Sequence, residues 1–298
     1  MAKILYYDAS CGISGDMNLG ALVGLGVDFD YLCAELEKLN LAGEFKLVRK
    51  SVLKNGIAAT KIDVAPLKSQ PHARSYANIR QILESSNLSR SCKQRAGAIF
   101  RTIAQAEAKV HGTQIDRVHF HELGAIDSIV DVVGAAICIE ALGVPQIFTS
   151  QIELGGGFVR CAHGKLAVPA PATAEILRGA SVSLGRADFE MATPTGAAIL
   201  KVCARNLSDT DHREAPQNFK ILSVGYGAGD KDAADFANVL RVMLCETDEE
   251  RGEGGERNLG ARPGYGEVCK QILISTNIDD MDAESFAFAC DILRDSGA

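Results

Sequence analysis

The chain has 298 residues, 47% hydrophobic, 23% charged and 6% aromatic, with no Trp, which is enough apolar material to bury a sizeable core. Its 31 Lys and Arg stand against 38 Asp and Glu, a formal net charge of −7 that offers no long-range attraction to nucleic acid or anionic lipid. The nine Cys are scattered with no C-x-x-C pair, so neither a zinc knuckle nor a disulfide framework is supported, and the expectation is a reduced, cytoplasmic protein.

In chain order, Lys3 to Tyr7 reads as a strand running into a Gly-rich turn, Cys11 to Asp16, and then a helix that closes near Gly26. Asp28 is a good N-cap for a second helix, Phe29 to Leu39. Phe45 to Val52 and Ala58 to Val64 read as a hairpin joined through Asn55-Gly56. Tyr76 to Leu83 and Arg90 to Val110 are helical. In the longer one Ala96, Ile99, Phe100, Ile103 and Val110 recur at three- and four-residue spacing, and Gly112 supplies a stop. A further helix runs from Ala125 to Leu142. The most apolar stretch, Ile129 to Phe148, is interrupted by Asp131, Glu140 and Pro145 and is too short between breaks to span a bilayer.

Ile147 to Glu153 then reads as one strand, broken by Gly155-Gly156-Gly157. Short helices follow at Ala172 to Leu177 and at Ala197 to Ala204, the second opened by Thr193-Pro194-Thr195-Gly196. Phe219 to Val224 and Val239 to Cys245 read as strands separated by the glycines Gly225, Gly227 and Gly229. From Glu246 to Arg257 the composition turns to Glu, Asp, Gly and Arg with no large apolar residue. Beyond it, Val268 to Ser275 reads as a strand and Asp282 to Leu293 as a helix. Length alone, at roughly 150 residues per domain, points to two domains. The pattern refines this to a large mixed α/β (α+β) domain over residues 1–245, an acidic linker over 246–266, and the start of a C-terminal domain over 267–298.

Two constellations carry chemistry. In Asp8-x-x-x-Gly12-Ile13-Ser14-Gly15-Asp16, a strand enters a Gly-rich turn and a helix start, where outward N–H groups and the helix dipole favour a phosphate. It is not a P-loop, since no Lys follows the glycines. A tight turn with Ser14 or Asp16 capping the helix accounts for it equally well. In His119-x-His121-Glu122-x4-Asp127-x3-Asp131, the two His share one side of an extended segment. Asp127 and Asp131 share one helix face. Two imidazoles and up to three carboxylates form a mixed N/O set suited to a first-row divalent metal. Those acids lie beside Ile126, Ile129 and Val130, so they should be exposed or partnered. Cys161-x-His163 and the Thr193–Gly196 helix start are weaker signals. Hydrolase, metal carrier and nucleotide-binding enzyme all stay open on spacing alone.

Four stretches resemble the LarC nickel-insertion family: Asp8–Met17, His119–Asp131, His163–Thr173 with Thr193–Leu200, and Thr276–Met281. The resemblance implies a nickel chelatase that places Ni2+ into pyridinium-3,5-bisthiocarboxylic acid mononucleotide. The product is the nickel-pincer nucleotide cofactor of lactate racemase-type enzymes, with one Ni–C and two Ni–S bonds. It also implies dependence on CTP, cleaved to CMP and pyrophosphate with Mg2+ or Mn2+. On this reading His119, His121, Glu122, Asp127 and Asp131 are the candidates for holding nickel, and Gly12, Ser14, Gly15 and Asp16 for a phosphate. Cys11 stands where the family motif usually has Ser. Family members continue past the Thr276–Met281 motif into a C-terminal domain tied to CTP binding and oligomerisation. The expectation is therefore a chain that acts with that domain or with a separate C-terminal chain. A non-catalytic nickel carrier and a metal-dependent phosphohydrolase are the competing classes.

Overall fold

The computed structural model describes residues 2–41, 43–68, 74–118, 120, 125–143, 146–161, 164–207 and 215–247. The chain divides into two units, Met1–Arg251 and Gly252–Ala298, and every described residue belongs to the first. The strand and helix expected beyond residue 267 lie outside the described residues.

The chain opens with β1 (Ala2–Asp8), then α1 (Gly15–Leu25) and α2 (Phe29–Glu37). Asp28 caps α2 as expected, its carboxylate accepting from the Tyr31 N–H at 2.7 Å. The hairpin β2 (Phe45–Lys54) and β3 (Ile57–Pro66) turns at Asn55 and Gly56, both at positive φ (46° and 80°), as its strand twist requires. Helices α3 (Tyr76–Ser85) and α4 (Arg90–Val110) follow, then α5 (Ile126–Ala141). Next come β4 (Gln146–Thr149), β5 (Ile152–Glu153), the hairpin β6 (Phe158–Cys161) and β7 (Gly164–Ala167), α6 (Pro171–Ile176) and β8 (Val182–Ser183). Helix α7 (Pro194–Cys203) and the strands β9 (Lys220–Ala228) and β10 (Val239–Thr247) complete the series. Among the described residues no helix is long and apolar enough to cross a membrane.

The main sheet is mixed, in the order β2-β3-β9-β10-β1-β4, with β1 antiparallel to β10 and parallel to β4. Together with the seven helices of the described residues, this is the mixed α/β fold expected from the sequence. Helix α1 lies on β3, β9 and β10, α5 packs on α1, and α4 closes over α5. The apolar stripe of α4 delivers Ala96, Ile99, Phe100 and Ile103 to the core, each at most 1% exposed. Helix α5 sits between layers and is apolar nearly all round, from Ile129 to Ile139.

Three expectations need correction. Ile147 to Glu153 is not one strand. The chain bends at Ser150, whose hydroxyl accepts from the Ala9 N–H and donates to the Gln151 carbonyl, and β5 leaves the main sheet to pair with β8. Gly225 and Gly227 do not break a strand but lie inside β9, where α1 rests directly on the backbone. A Cβ at Gly225 would fall 2.0 Å from the Ala21 carbonyl oxygen, and one at Gly227 1.8 Å from that of Met17. Strand β10 also carries its ladder through Glu246 and Thr247, opposite Lys3 and Ala2.

Tyr7 is fully buried on β1 and its hydroxyl has no hydrogen-bond partner among the described residues. An unpaired buried hydroxyl forfeits hydration without recompense. Tyr7→Phe should therefore be neutral or stabilising, by up to about 1 kcal/mol. Urea midpoints of the two proteins check this, and a loss above about 1 kcal/mol would reveal a hidden partner.

Candidate functional site

The Gly-rich turn is locked to the start of α7. Ile13 N–H donates to the Met191 carbonyl at 2.9 Å, and Thr193 N–H donates back to the Ile13 carbonyl at 3.0 Å. Gly12 has φ 81°, and a Cβ there would sit 2.1 Å from the Met191 carbonyl oxygen, so only glycine fits. The N-termini of α1 and α7 are thereby held side by side. At α7, Thr193 caps the Gly196 N–H at 3.3 Å and Pro194 takes the first helical position. At α1 the alternative of a side-chain cap from Ser14 is not realised: its hydroxyl instead donates to the Asp16 carboxylate. The first-turn N–H groups of α1 are left without that partner.

Asp16 is tied to Lys61 of β3, whose ammonium also meets Asp230 at 2.6 Å and Asp63 at 3.8 Å. Lys61 is only 8% exposed. Burial works against its charge, but Asp16 and then Asp230 outweigh that and hold its pKa above the ordinary lysine value. Lys61→Met would leave Asp16 without its counter-ion. The expected loss is about 2–3 kcal/mol, below the full figure for a buried pair because Asp230 is solvent-exposed. Denaturant titration of K61M beside K61R checks it: Arg should recover part of the loss, and equal losses in both would refute a charge role.

Asp127 and Asp131 share one face of α5, as their spacing predicts, and that face looks onto the α1 start. Asp131 leans on Gly15, where a Cβ would fall 2.3 Å from its Oδ2. Contrary to the expectation for an acid among apolar neighbours, its Oδ1 is buried without a hydrogen-bond partner among the described residues. Burial first, then the nearby Asp16 and Asp127 charges, push its pKa well above the ordinary carboxylate value.

Asp16, Lys61, Asp63, Asp127, Asp131 and Asp230 line one cleft of about 610 Å³, while Gly12 lies outside its lining. The N-terminal turns of α1 (Ser14, Gly15, Asp16), α5 (Asp127, Ser128) and α7 (Thr193, Pro194, Thr195) open into it, and the start of α6 forms another part of the wall. Cys161 and Leu166 of the β6–β7 hairpin, Glu190, and Glu107 and His111 at the end of α4 complete the lining. Ser14, Gly15 and Asp16 of the first constellation thus share a cleft with Asp127 and Asp131 of the second. His119, His121 and Glu122 lie outside the described residues, as does His163. Among the described residues no group of three or more His, Cys, Asp or Glu could hold a metal ion. Sequence reasoning missed Lys61, Asp230, Glu107 and His111. For Lys61 a signal existed, a lysine amid the apolar alternation of β3; Glu107 and His111 read simply as the polar end of an amphipathic helix.

Residues 5–298 match the family model described as nickel insertion protein. A relative from Wolinella succinogenes is 47% identical over 300 residues, covering 99% of this chain and 69% of the relative. Relatives from Clostridium kluyveri and Geobacillus kaustophilus, both named pyridinium-3,5-bisthiocarboxylic acid mononucleotide nickel insertion protein, are 44% and 43% identical over 308 and 305 residues. Each alignment covers 99% of this chain and 71% of the relative. No solved structure matches the chain. A full-length family match and relatives at this identity establish that the chain belongs to the nickel insertion protein family.

Proposed function

We propose that the chain is a nickel chelatase that inserts Ni2+ into pyridinium-3,5-bisthiocarboxylic acid mononucleotide to form a nickel-pincer nucleotide. The names of the relatives supply the reaction. The observation that carries it to this chain is the meeting, in one cleft, of three helix N-termini with Asp16, Asp127 and Asp131. A mononucleotide with two thiocarboxylates is polyanionic, and helix N-termini attract anions. Its partner in the reaction is a divalent cation, which the carboxylates attract. Such a cleft suits both reactants at once.

In this reading the turn Gly12, Ser14, Gly15 and Asp16 receives the phosphate, with Lys61 offsetting the Asp16 charge. His119, His121 and Glu122, with Asp127 and Asp131, hold nickel before transfer through imidazole and carboxylate. Those ligands are harder than the sulfur atoms of the substrate, so borderline-soft Ni2+ passes to the substrate. CTP with Mg2+ or Mn2+ is the co-reactant. The seven described cysteines are free thiols, which supports a reducing, cytoplasmic setting.

The test is incubation of the purified chain with Ni2+, precursor, CTP and Mg2+, followed by mass spectrometry of the nucleotide. Nickel-bearing product is the expected result. Tight Ni2+ binding without product would instead make the chain a carrier, and CTP turnover without product a hydrolase. His119→Ala with His121→Ala should lower Ni2+ stoichiometry; unchanged binding would remove them as ligands.

A further inference from the structure

We infer that a second cavity, between the first turns of α4 and the end of α7, binds a small oxyanion, phosphate or carboxylate, on the guanidinium of Arg95. It shares no lining residue with the cleft described above and does not depend on the chelatase reading. Its volume is about 330 Å³, at the lower end of the roughly 300–1,000 Å³ usual for small-ligand sites. Ser91, Gln94 and Arg95 of α4 line it, and Ile139, Ile147 and Val202 supply an apolar side.

Arg95 is half-buried, and among the described residues no carboxylate pairs with it. Its Nη1 donates to the Ala136 carbonyl at 3.4 Å, a long bond that leaves the charge uncompensated. Glu140 of α5 and Glu35 of α2, whose charges reach Cys92 together with that of Arg95, are engaged elsewhere. Glu140 accepts from the Ser89 hydroxyl at 2.7 Å, and Glu35 pairs with Lys38. A guanidinium drawn partly out of water without a counter-ion carries a desolvation penalty that an incoming anion removes. The donors around it favour an oxyanion. Arg95 presents a planar fork of N–H groups that matches carboxylate and phosphate oxygens. Ser91, one helical turn before it, offers a hydroxyl, and Gln94 an amide. The orphaned Tyr7 hydroxyl also feels the Arg95 charge, which puts a second unanswered polar group near the same guanidinium.

The experiment is isothermal titration of the whole chain, without nickel or nucleotide, with potassium phosphate and separately with potassium isobutyrate. Chloride keeps the ionic strength constant. At least one of the two anions should bind with a Kd of about 1–10 mM. Arg95→Gln should weaken that binding about tenfold or more. Ser91→Glu gives the guanidinium an internal carboxylate one turn away and should weaken the anion to a similar extent. Because Ser91 is exposed, S91E decides the matter if R95Q does not fold. Binding of phosphate alone identifies a phosphoryl ligand and of isobutyrate alone a carboxylate, and either result supports the site. No binding of either anion below about 100 mM overturns the proposal. Binding whose affinity and stoichiometry the variants leave unchanged also overturns it, since the anion then sits elsewhere on the chain.

Discussion

Replacing Gly227 by Ala should cost the fold about 3 kcal/mol or more, because the added methyl has nowhere to go. Its Cβ would lie 1.8 Å from the Met17 carbonyl oxygen and 2.5 Å from the Ala21 N, and both are backbone atoms of α1. No rotamer change relieves such a contact. Helix α1 would have to lift off β9, loosening the fully buried Leu19 and Leu22. Because the first turn of α1 lines the cleft, the proposed precursor binding should weaken along with stability. Denaturant unfolding of G227A gives the measurement. A loss under about 1 kcal/mol would show that α1 does not rest on β9 as described.

Asp131→Asn should do the opposite to stability and still harm function. In the folded chain burial and the Asp16 and Asp127 charges hold the Asp131 proton more tightly than in the unfolded chain. The stability tied to that proton is complete below the ordinary value of 3.8 and is lost as pH rises through the elevated folded value. Asn keeps nearly the same shape and cannot ionise. D131N should thus match the wild type at pH near the ordinary value and exceed it by about 1–3 kcal/mol at neutral pH, in metal-free protein. Urea titrations at pH 4 and pH 8 test the sign, and a difference that is equal at the two pH values refutes it. Nickel insertion by the same variant should drop at least about tenfold, since a carboxylate kept at such a cost is kept for the site.

Much of the fold was legible because local chemistry decides it. Asp28 announces α2, Asn55-Gly56 can only be a tight turn between strands, and the three- and four-residue spacing of α4 marks one buried face. The errors share one cause. Gly225 and Gly227 read as breakers, since glycine is costly inside a strand unless another backbone needs the room, and the need comes from α1, some 200 residues earlier in the chain. The β4–β5 stretch read as continuous because its hydrophobicity is continuous, while Ser150 turns it through a bond to Ala9 on the far side of the sequence.

The site divides in the same way. Residue types and spacing alone placed Asp127 and Asp131 on one face and put Gly12 to Asp16 at a helix start. Those are properties of a few neighbouring residues and follow from helix period and backbone freedom. That Ser14, Gly15 and Asp16 share one cleft with Asp127 and Asp131 was decided by the tertiary structure, through α5 packing on α1 and the Ile13–Thr193 bonds that hold α7 beside them. Only there does Gly15 meet Asp131, Lys61 reach Asp16, and the Glu107–His111 pair at the end of α4 come to share a wall with both. Charge and burial act over a few ångströms of space rather than along the chain, so the electrostatics of the site could emerge only once the chain had folded.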